Sequence, residues 1–425
     1  MIFYKPTKYK QSSIGQIPEE WKVKKIIDIA DTFSGSTPSR RNNVYWIDKK
    51  VPWLKSGELG NSFVYETEEK ISEQALQKTA VRFVDKNTLL VAMYGATAGK
   101  VGYTKIKTTI NQAICAIVPR SNEFNPLFGF YFFIFNNKLL VSESSGGAQS
   151  NINQDVIKNF RIILPPLPEQ QKIAEVLSKI DEAIEIAGKS IEKWQRIKKA
   201  AMRQLLTRGI GHKRFKYVEG IGEIPEEWDV KRLGDKEISK SIYYGITAKK
   251  VDYSTNLKML RTTDIKNFNF DYSKLPHCEI TDNKNSIEKY KLQTGDLIVA
   301  RAGTVGVSVL VDKDYDDVVF GSYLIKAKLN KKNVLPKYLH LFFQSDLYWK
   351  HLEGAQGSTL KNINLPLLRN LLVPLPPLSE QQKIASILQK IDQVIEVKQQ
   401  KKKHLERAKK EMMRLLLTGK VRIKI

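Results

Sequence analysis

The sequence predicts an α/β (α+β) protein of two tandem bodies, each strand-rich with mixed sheets, and two long helices forming an antiparallel coiled coil about a pseudo-twofold. Three observations predict its layout of two bodies and paired helices. The chain is internally duplicated, each copy ends in a proline cluster followed by a heptad-patterned stretch, and 425 residues exceed one ordinary compact unit.

The duplication is direct. Ile14-Gly15-Gln16-Ile17-Pro18-Glu19-Glu20-Trp21 returns as Ile221-Gly222-Glu223-Ile224-Pro225-Glu226-Glu227-Trp228. Residues 164–185 return as 375–396 with 16 of 22 positions identical. Between these ends the match is fainter. Leu90 to Gly95 parallels Ile298 to Gly303, Trp53 to Glu58 parallels Met259 to Asp264, and Asn151-Ile152-Asn153 returns as Asn362-Ile363-Asn364. Matching ends around diverged interiors imply one scaffold carrying two different surfaces. The connector Thr207 to Phe215 is echoed partly by Thr418 to Arg422 and partly by Lys8-Tyr9-Lys10, as neighbouring chain ends would produce. The expected bodies are residues 1–163 and 209–374, with helical spacers at 164–208 and 375–425.

Each helical stretch starts after prolines, which the first turn tolerates because its N–H groups lack intrahelical partners. Glu169 and Glu380 then face the positive end of the helix dipole, and Ser379 is a candidate N-cap. In the first stretch Ile173, Leu177, Ile180, Ile184, Ala187, Ile191, Trp194, Lys198, Ala201 and Leu205 alternate at spacings of four and three. That is a coiled-coil seam with one polar position, Lys198. The second seam, Ile384, Leu388, Ile391, Ile395, Lys398, Lys402, Leu405, Lys409, Met412 and Leu416, turns basic at its centre. The two-copy symmetry is weakest there. Helices of about 36–40 residues would be roughly 55–60 Å long.

A formal charge of +25 and a pI near 9.7 point to a polyanionic partner, nucleic acid first. Two distant cysteines, Cys115 and Cys278, exclude a disulfide framework and a zinc cluster, and the five histidines lack metal spacing. The longest apolar run, Leu127 to Phe135, is about half a membrane span, and no signal-peptide pattern stands at the N-terminal end. The expectation is a cytoplasmic protein with no membrane partner.

The Ile-Pro-Glu-Glu-Trp segment, the run from Met93 to Gly102 and the doubled EQQKIA helix start resemble specificity subunits of type I restriction–modification systems, in the family's order and over nearly the whole chain. The resemblance implies two target recognition domains, each reading one half of a bipartite, asymmetric double-stranded DNA target. It implies helices that set the unread gap and dock two methyltransferase (modification) subunits, with motor–nuclease (restriction) subunits joining the full complex. S-adenosylmethionine and ATP with Mg²⁺ would then sit on those partners, with no cofactor, metal or catalytic residue on this chain. Two other classes compete: a self-contained DNA methyltransferase or nuclease, and a coiled-coil scaffold.

The residues agree with a binding role. The proline pairs follow Leu rather than the Asn or Asp of an adenine methyltransferase motif. Gly95 to Val101 has three residues between its glycines instead of the four of a phosphate loop, and Val101 replaces the Mg²⁺-binding hydroxyl. The same segment reads better as a strand and then a loop facing DNA, with Tyr94, Thr97 and Lys100 as contacts and Arg301 and Thr304 in the comparable place. A tight structural turn is the alternative.

Further candidate DNA contacts are Ser36, Thr37 and Arg40 with Tyr244 and Thr247, Lys55 and Ser56 with Arg261, Thr262 and Thr263, and Asn111 and Gln112 with Ser322 and Tyr323. They supply cations, hydroxyls and amides suited to phosphates and base edges. Solvated surface is the alternative for each. The spacer candidates are Ile173, Leu177, Ile180, Ile184, Ile191 and Trp194 with Ile384, Leu388, Ile391, Ile395 and Leu405. Trp21, Trp228 and the aromatic runs Phe128 to Phe135 and Tyr338 to Phe343 read as core.

Overall fold

The proline-led stretches form the two longest helices, Leu167–Thr207 and Leu378–Leu416. Each starts one residue before Pro168 or Ser379, so Ser379 lies inside the first turn and does not cap it. The carbonyls of Pro166 and Pro377 instead accept the amides three and four residues on, at 2.9 and 3.0 Å in both helices. The computed structural model describes residues 2–143, 151–281, 287–356 and 362–424. Two compact units result: Met1–Gly188 with Gln400–Ile425, and Lys189–Gln399. Each long helix therefore contributes to both.

In the first unit, a five-stranded sheet runs in the order Ala30–Ser34, Ile114–Pro119, Leu89–Ala92, Val101–Thr104, Ser62–Val64. A four-stranded sheet runs Glu69–Ile71, Val51–Leu54, Thr108–Ile110, Phe83–Val84. Pairing is mostly antiparallel, but Thr108–Ile110 lies parallel to Val51–Leu54. In the second unit the order is Ser239–Tyr244, Leu324–Leu329, Leu297–Ala300, Ser308–Leu310. A smaller sheet pairs Lys258–Leu260 parallel to Tyr315–Phe320. The fold is thus the mixed, strand-rich α/β class with a long helix pair.

The shared ends of the repeat have a physical explanation. Trp21 and Trp228 are fully buried, and each indole N–H donates to the first-turn glutamate of a long helix, Glu169 at 3.1 Å and Glu380 at 3.0 Å. Gln170 and Gln381, also fully buried, each bridge three backbone groups. Gln170 accepts from the Asn125 amide and donates to the Glu123 and Pro165 carbonyls. Gln381 does the same with Leu335, Asn333 and Pro376. The repeated Glu-Gln pair thus fastens each helix start to its own unit. The echo of the connector at the chain ends is also real: Phe3–Tyr4 pairs antiparallel with Arg422–Ile423 in the first unit.

The helices pack antiparallel in both units. Ile173, Ala174 and Leu177 share a core with Met413, Leu416 and Leu417, and Met202 and Leu206 share one with Ile384 and Leu388. Lys409 and Lys198 keep the two-copy symmetry, whereas Lys398 and Lys402 stand where the first helix has Ala187 and Ile191. Lys409 pairs with Asp181 at 2.6 Å and Lys198 with Asp392 at 2.7 Å, so equivalent residues of the two copies meet in each unit. Lys398 and Lys402 lie half-buried, as long aliphatic stems with solvated charges allow.

The aromatic runs are core except at Phe135, which is exposed. Phe128, Phe130, Tyr131, Phe132 and Phe133 are buried in one unit, and Tyr338, Leu339, Leu341, Phe342 and Phe343 in the other. At the place of Phe130 the second unit carries His340, 6% exposed, whose imidazole burial pushes down from 6.5 to about 4, with Lys337 and Lys198 adding to the shift. Above pH 6.5 the ring is neutral in both folded and unfolded chains. As pH falls from 6.5 to 4 the unfolded chain takes the proton first, so stability drops by up to about 3 kcal/mol and then levels. His340→Phe is expected to flatten this acid loss, read as the difference between urea midpoints at pH 7 and pH 4.5. Equal acid loss in both proteins would refute it.

Candidate DNA interface

In each unit four loops leave the sheets at one edge and are tied together by backbone hydrogen bonds. In the first, the Ser36 amide donates to the Ile110 carbonyl at 3.0 Å, Asn111 N to Leu54 O at 3.0 Å, and Met93 N to Ala113 O at 2.8 Å. In the second, Ile246 N donates to Phe320 O, Gly321 N to Leu260 O and Arg301 N to Tyr323 O, each at 3.0 Å. The two networks correspond bond for bond. They require glycine at one place, because a Cβ on Gly35 would overlap the Ile110 carbonyl, and one on Gly245 the Gly321 carbonyl.

The Gly-rich segments are the tips of hairpins, Leu89–Ala92 with Val101–Thr104 and Leu297–Ala300 with Ser308–Leu310. Gly99 and Gly306 hold positive φ of 80° and 85°, which lets the chain re-enter the second strand. Thr97 and Thr304 fasten these tips inward. Thr97 Oγ1 donates to the Ser56 carbonyl at 2.9 Å, and Thr304 Oγ1 to that of Thr262 at 3.4 Å.

The candidate residues therefore come together in two matching clusters, with unequal freedom to meet a ligand. Ser36, Thr37, Arg40, Lys55, Ser56, Tyr94, Thr97, Lys100, Asn111 and Gln112 lie on the first set of loops. Tyr244, Thr247, Arg261, Thr262, Thr263, Arg301, Thr304, Ser322 and Tyr323 lie on the second. Arg40, Tyr94, Lys100, Gln112, Thr247, Thr263, Thr304 and Tyr323 are exposed. Thr37 is hydrogen-bonded to Gln112. Asn111 uses its side chain on the Ala113 amide. Gly321 makes in the second unit the backbone bond that Asn111 makes in the first, so Ser322 corresponds to Gln112.

The cations differ most. Arg40 lies over the Trp46 ring at 3.7 Å and pairs with Glu69 at 2.7 Å, while Lys55 reaches Glu69 and Glu68 at 3.0 Å each. The Arg40 hydrogen bond, helped by Lys55, holds the Glu69 carboxyl down at about 2. Glu69 sits opposite Trp53 in the strand register. In the second unit Pro276 takes that place, its carbonyl accepting from Met259 N at 3.0 Å. Arg261 is held by Asp264 through two bonds of 2.9 and 2.8 Å. Arg301 stacks on Tyr244 at 4.5 Å and donates from Nε to Asn362 at 3.3 Å.

Sequence reasoning missed Glu68, Glu69, Trp46 and Asn362 as members of these clusters. Only Asn362 carried a signal, its place in the repeated Asn-Ile-Asn. Among the described residues, no cluster of His, Cys, Asp and Glu could hold a metal ion, and no helix is long and apolar enough to cross a membrane.

A doubled loop cluster on a basic, duplicated scaffold defines a binding protein built to present two different polar surfaces. The chain belongs to the type I restriction modification DNA specificity domain family, whose model matches residues 18–195 and 225–407. It is 30% identical to the type I restriction enzyme MjaVIII specificity subunit of Methanocaldococcus jannaschii over 443 aligned residues, spanning 100% of this chain and 98% of that one. The fold is also that of the type I restriction–modification S subunit from M. genitalium, with TM-score 0.58 and 16% identity, covering 97% and 99% of the two chains. A chain from a study of complex assembly and conformational transition in the type I system gives TM-score 0.60 at 15% identity, covering 95% and 99%.

Proposed function

We propose that this chain is the non-catalytic DNA-specificity subunit of a type I restriction–modification complex, each loop cluster reading one half of a bipartite, asymmetric target. The observation that carries this is the duplicated loop network with different side chains mounted on it. Identical backbone bonds support two readers, and unlike side chains support two different half-sites. Lysine and arginine supply salt-dependent attraction to phosphates, while a few side chains discriminate bases. S-adenosylmethionine, ATP and Mg²⁺ belong to the methyltransferase and motor–nuclease partners in this reading.

The long helices act as the ruler between the half-sites and as the dock for two methyltransferase subunits. Their lengths, 41 and 39 residues, and their participation in both units support that role. Shortening both by one turn should change the unread gap in the methylated DNA motif and leave both half-sites unaltered. Sequencing methylated adenines in cells carrying the shortened chain checks this, and an unchanged gap would sink the ruler.

Glu69 tempers the first cluster, because it neutralises Arg40 and Lys55 where DNA phosphates would otherwise do so. Glu69→Gln is expected to tighten DNA binding at low salt and steepen its salt dependence by about one to two counterions. Titration of the assembled methyltransferase on DNA at several salt concentrations reads this out. Unchanged or weaker binding would count against it.

A further inference from the structure

Three arginines stand in the two loop clusters, and two already have carboxylates. Arg40 is paired with Glu69, and Arg261 is clamped by Asp264. Arg301 has no carboxylate partner among the described residues, yet its side chain is held. The Tyr244 ring covers one face at 4.5 Å, and Asn362 Oδ1 accepts from Nε at 3.3 Å. Those supports are themselves anchored. The Tyr244 hydroxyl accepts from the Leu365 amide at 3.1 Å, and the backbone of Ile363 donates to the Arg301 carbonyl at 2.9 Å.

A stacked, half-buried guanidinium with its Nε engaged presents its two terminal nitrogens as a planar, oriented donor pair. That geometry suits two parallel acceptors, and guanine offers such a pair, O6 and N7, on its major-groove edge. A phosphate offers paired oxygens to the same fork, so base preference and salt dependence together must separate the two ligands. The matching residue of the first unit is Met93, 5% exposed, whose amide makes the equivalent backbone bond.

We propose that Arg301 reads a guanine in the half-site bound by the second unit, and that the first unit has no reader at the equivalent place. The proposal rests on the DNA-reading function above and deepens it by naming one base. The test enriches randomised double-stranded DNA on the full-length chain assembled with its methyltransferase subunits, using wild type, Arg301→Met and Arg301→Lys. Arg301→Met installs the residue that the same backbone accepts in the first unit, and Arg301→Lys keeps the charge without the planar fork.

Wild type should enrich a two-part motif. Both variants should lose preference for one guanine in one part by roughly tenfold or more, with the other part unchanged. Arg301→Lys should retain the wild-type salt dependence. Three results overturn the proposal. One is that a base other than guanine loses its preference, and another is that Arg301→Met weakens all sequences alike and flattens the salt dependence, which marks a phosphate contact. A folded Arg301→Lys chain with the wild-type motif also overturns it. Failure of wild type to enrich any motif would refute the DNA-reading function itself.

Discussion

Replacing Glu169 with alanine is expected to destabilise the first unit by about 3–5 kcal/mol, the range for breaking a buried ion pair from one side. Glu169 is fully buried and accepts three bonds: from Trp21 Nε1 at 3.1 Å, Arg422 Nε at 3.1 Å and Arg422 Nη2 at 2.9 Å. Arg422 is 8% exposed, and once Glu169 is gone its remaining ion-pair partner among the described residues is the exposed Glu20, at 2.7 Å. A guanidinium cannot shed its charge to escape burial. The damage should reach the pairing of Phe3–Tyr4 with Arg422–Ile423, because Arg422 belongs to that ribbon.

The second copy gives the contrast. Glu380 accepts from Trp228 Nε1 at 3.0 Å and the Ile210 amide at 2.9 Å, and its other partner is His212, with Nε2 at 2.9 Å. Glu380 is only partly buried and its removal strands no buried guanidinium, so Glu380→Ala should lose about 1–3 kcal/mol, the scale of unsatisfied polar groups. Urea unfolding of the full chain near neutral pH measures both, and equal losses would contradict this account.

The second large effect lies under the sheet of the second unit. Lys326 is 1% exposed, and its ammonium meets Asp296 at 2.9 Å and the Lys291 carbonyl at 2.9 Å, with the Tyr243 and Phe320 rings at 5.6 and 5.3 Å. Burial pulls the ammonium's pKa down, while Asp296 opposes that shift. Lys326→Met strands a buried carboxylate and should destabilise by about 3–5 kcal/mol. The double change Lys326→Met with Asp296→Asn should recover most of the loss, since the asparagine carbonyl can still accept the Gln293 amide that now donates at 3.0 Å. A single variant no less stable than the double would refute the charge argument. The first unit shows that the fold does not need the pair. Ala116 sits opposite Leu90 in the register where Lys326 sits opposite Ile298, and Thr88 precedes the strand where Asp296 does.

Much of this architecture is legible in the residues. The heptad spacing from Ile173 to Leu205 marks a face that stays out of solvent along the first long helix, and the same holds from Ile384 to Leu416. The repeated tryptophan and Glu-Gln pair mark the two helix junctions. The candidate site was half legible. Residue type and repeat register gathered residues that the fold brings onto adjoining loops, but they could not say which cations were already neutralised. Glu69 lies 29 residues from Arg40 along the chain, and no spacing rule connects them. Thr97 and Thr304 read as ligand contacts, yet both hydroxyls hold neighbouring turns.

The sequence by itself determined the duplication, the two amphipathic helices and the family, because these depend on local periodicity and on residue order. Only the tertiary structure decided which side chains are spent inside the protein. Sheet pairing brings loops from distant segments to one edge, and there a carboxylate within 3 Å cancels a charge that the sequence counts as available. Arg40 and Arg301 are the same residue type in matching clusters. One faces Glu69 and the other a tyrosine ring and an amide, a difference set by through-space distance and invisible to the order of residues along the chain.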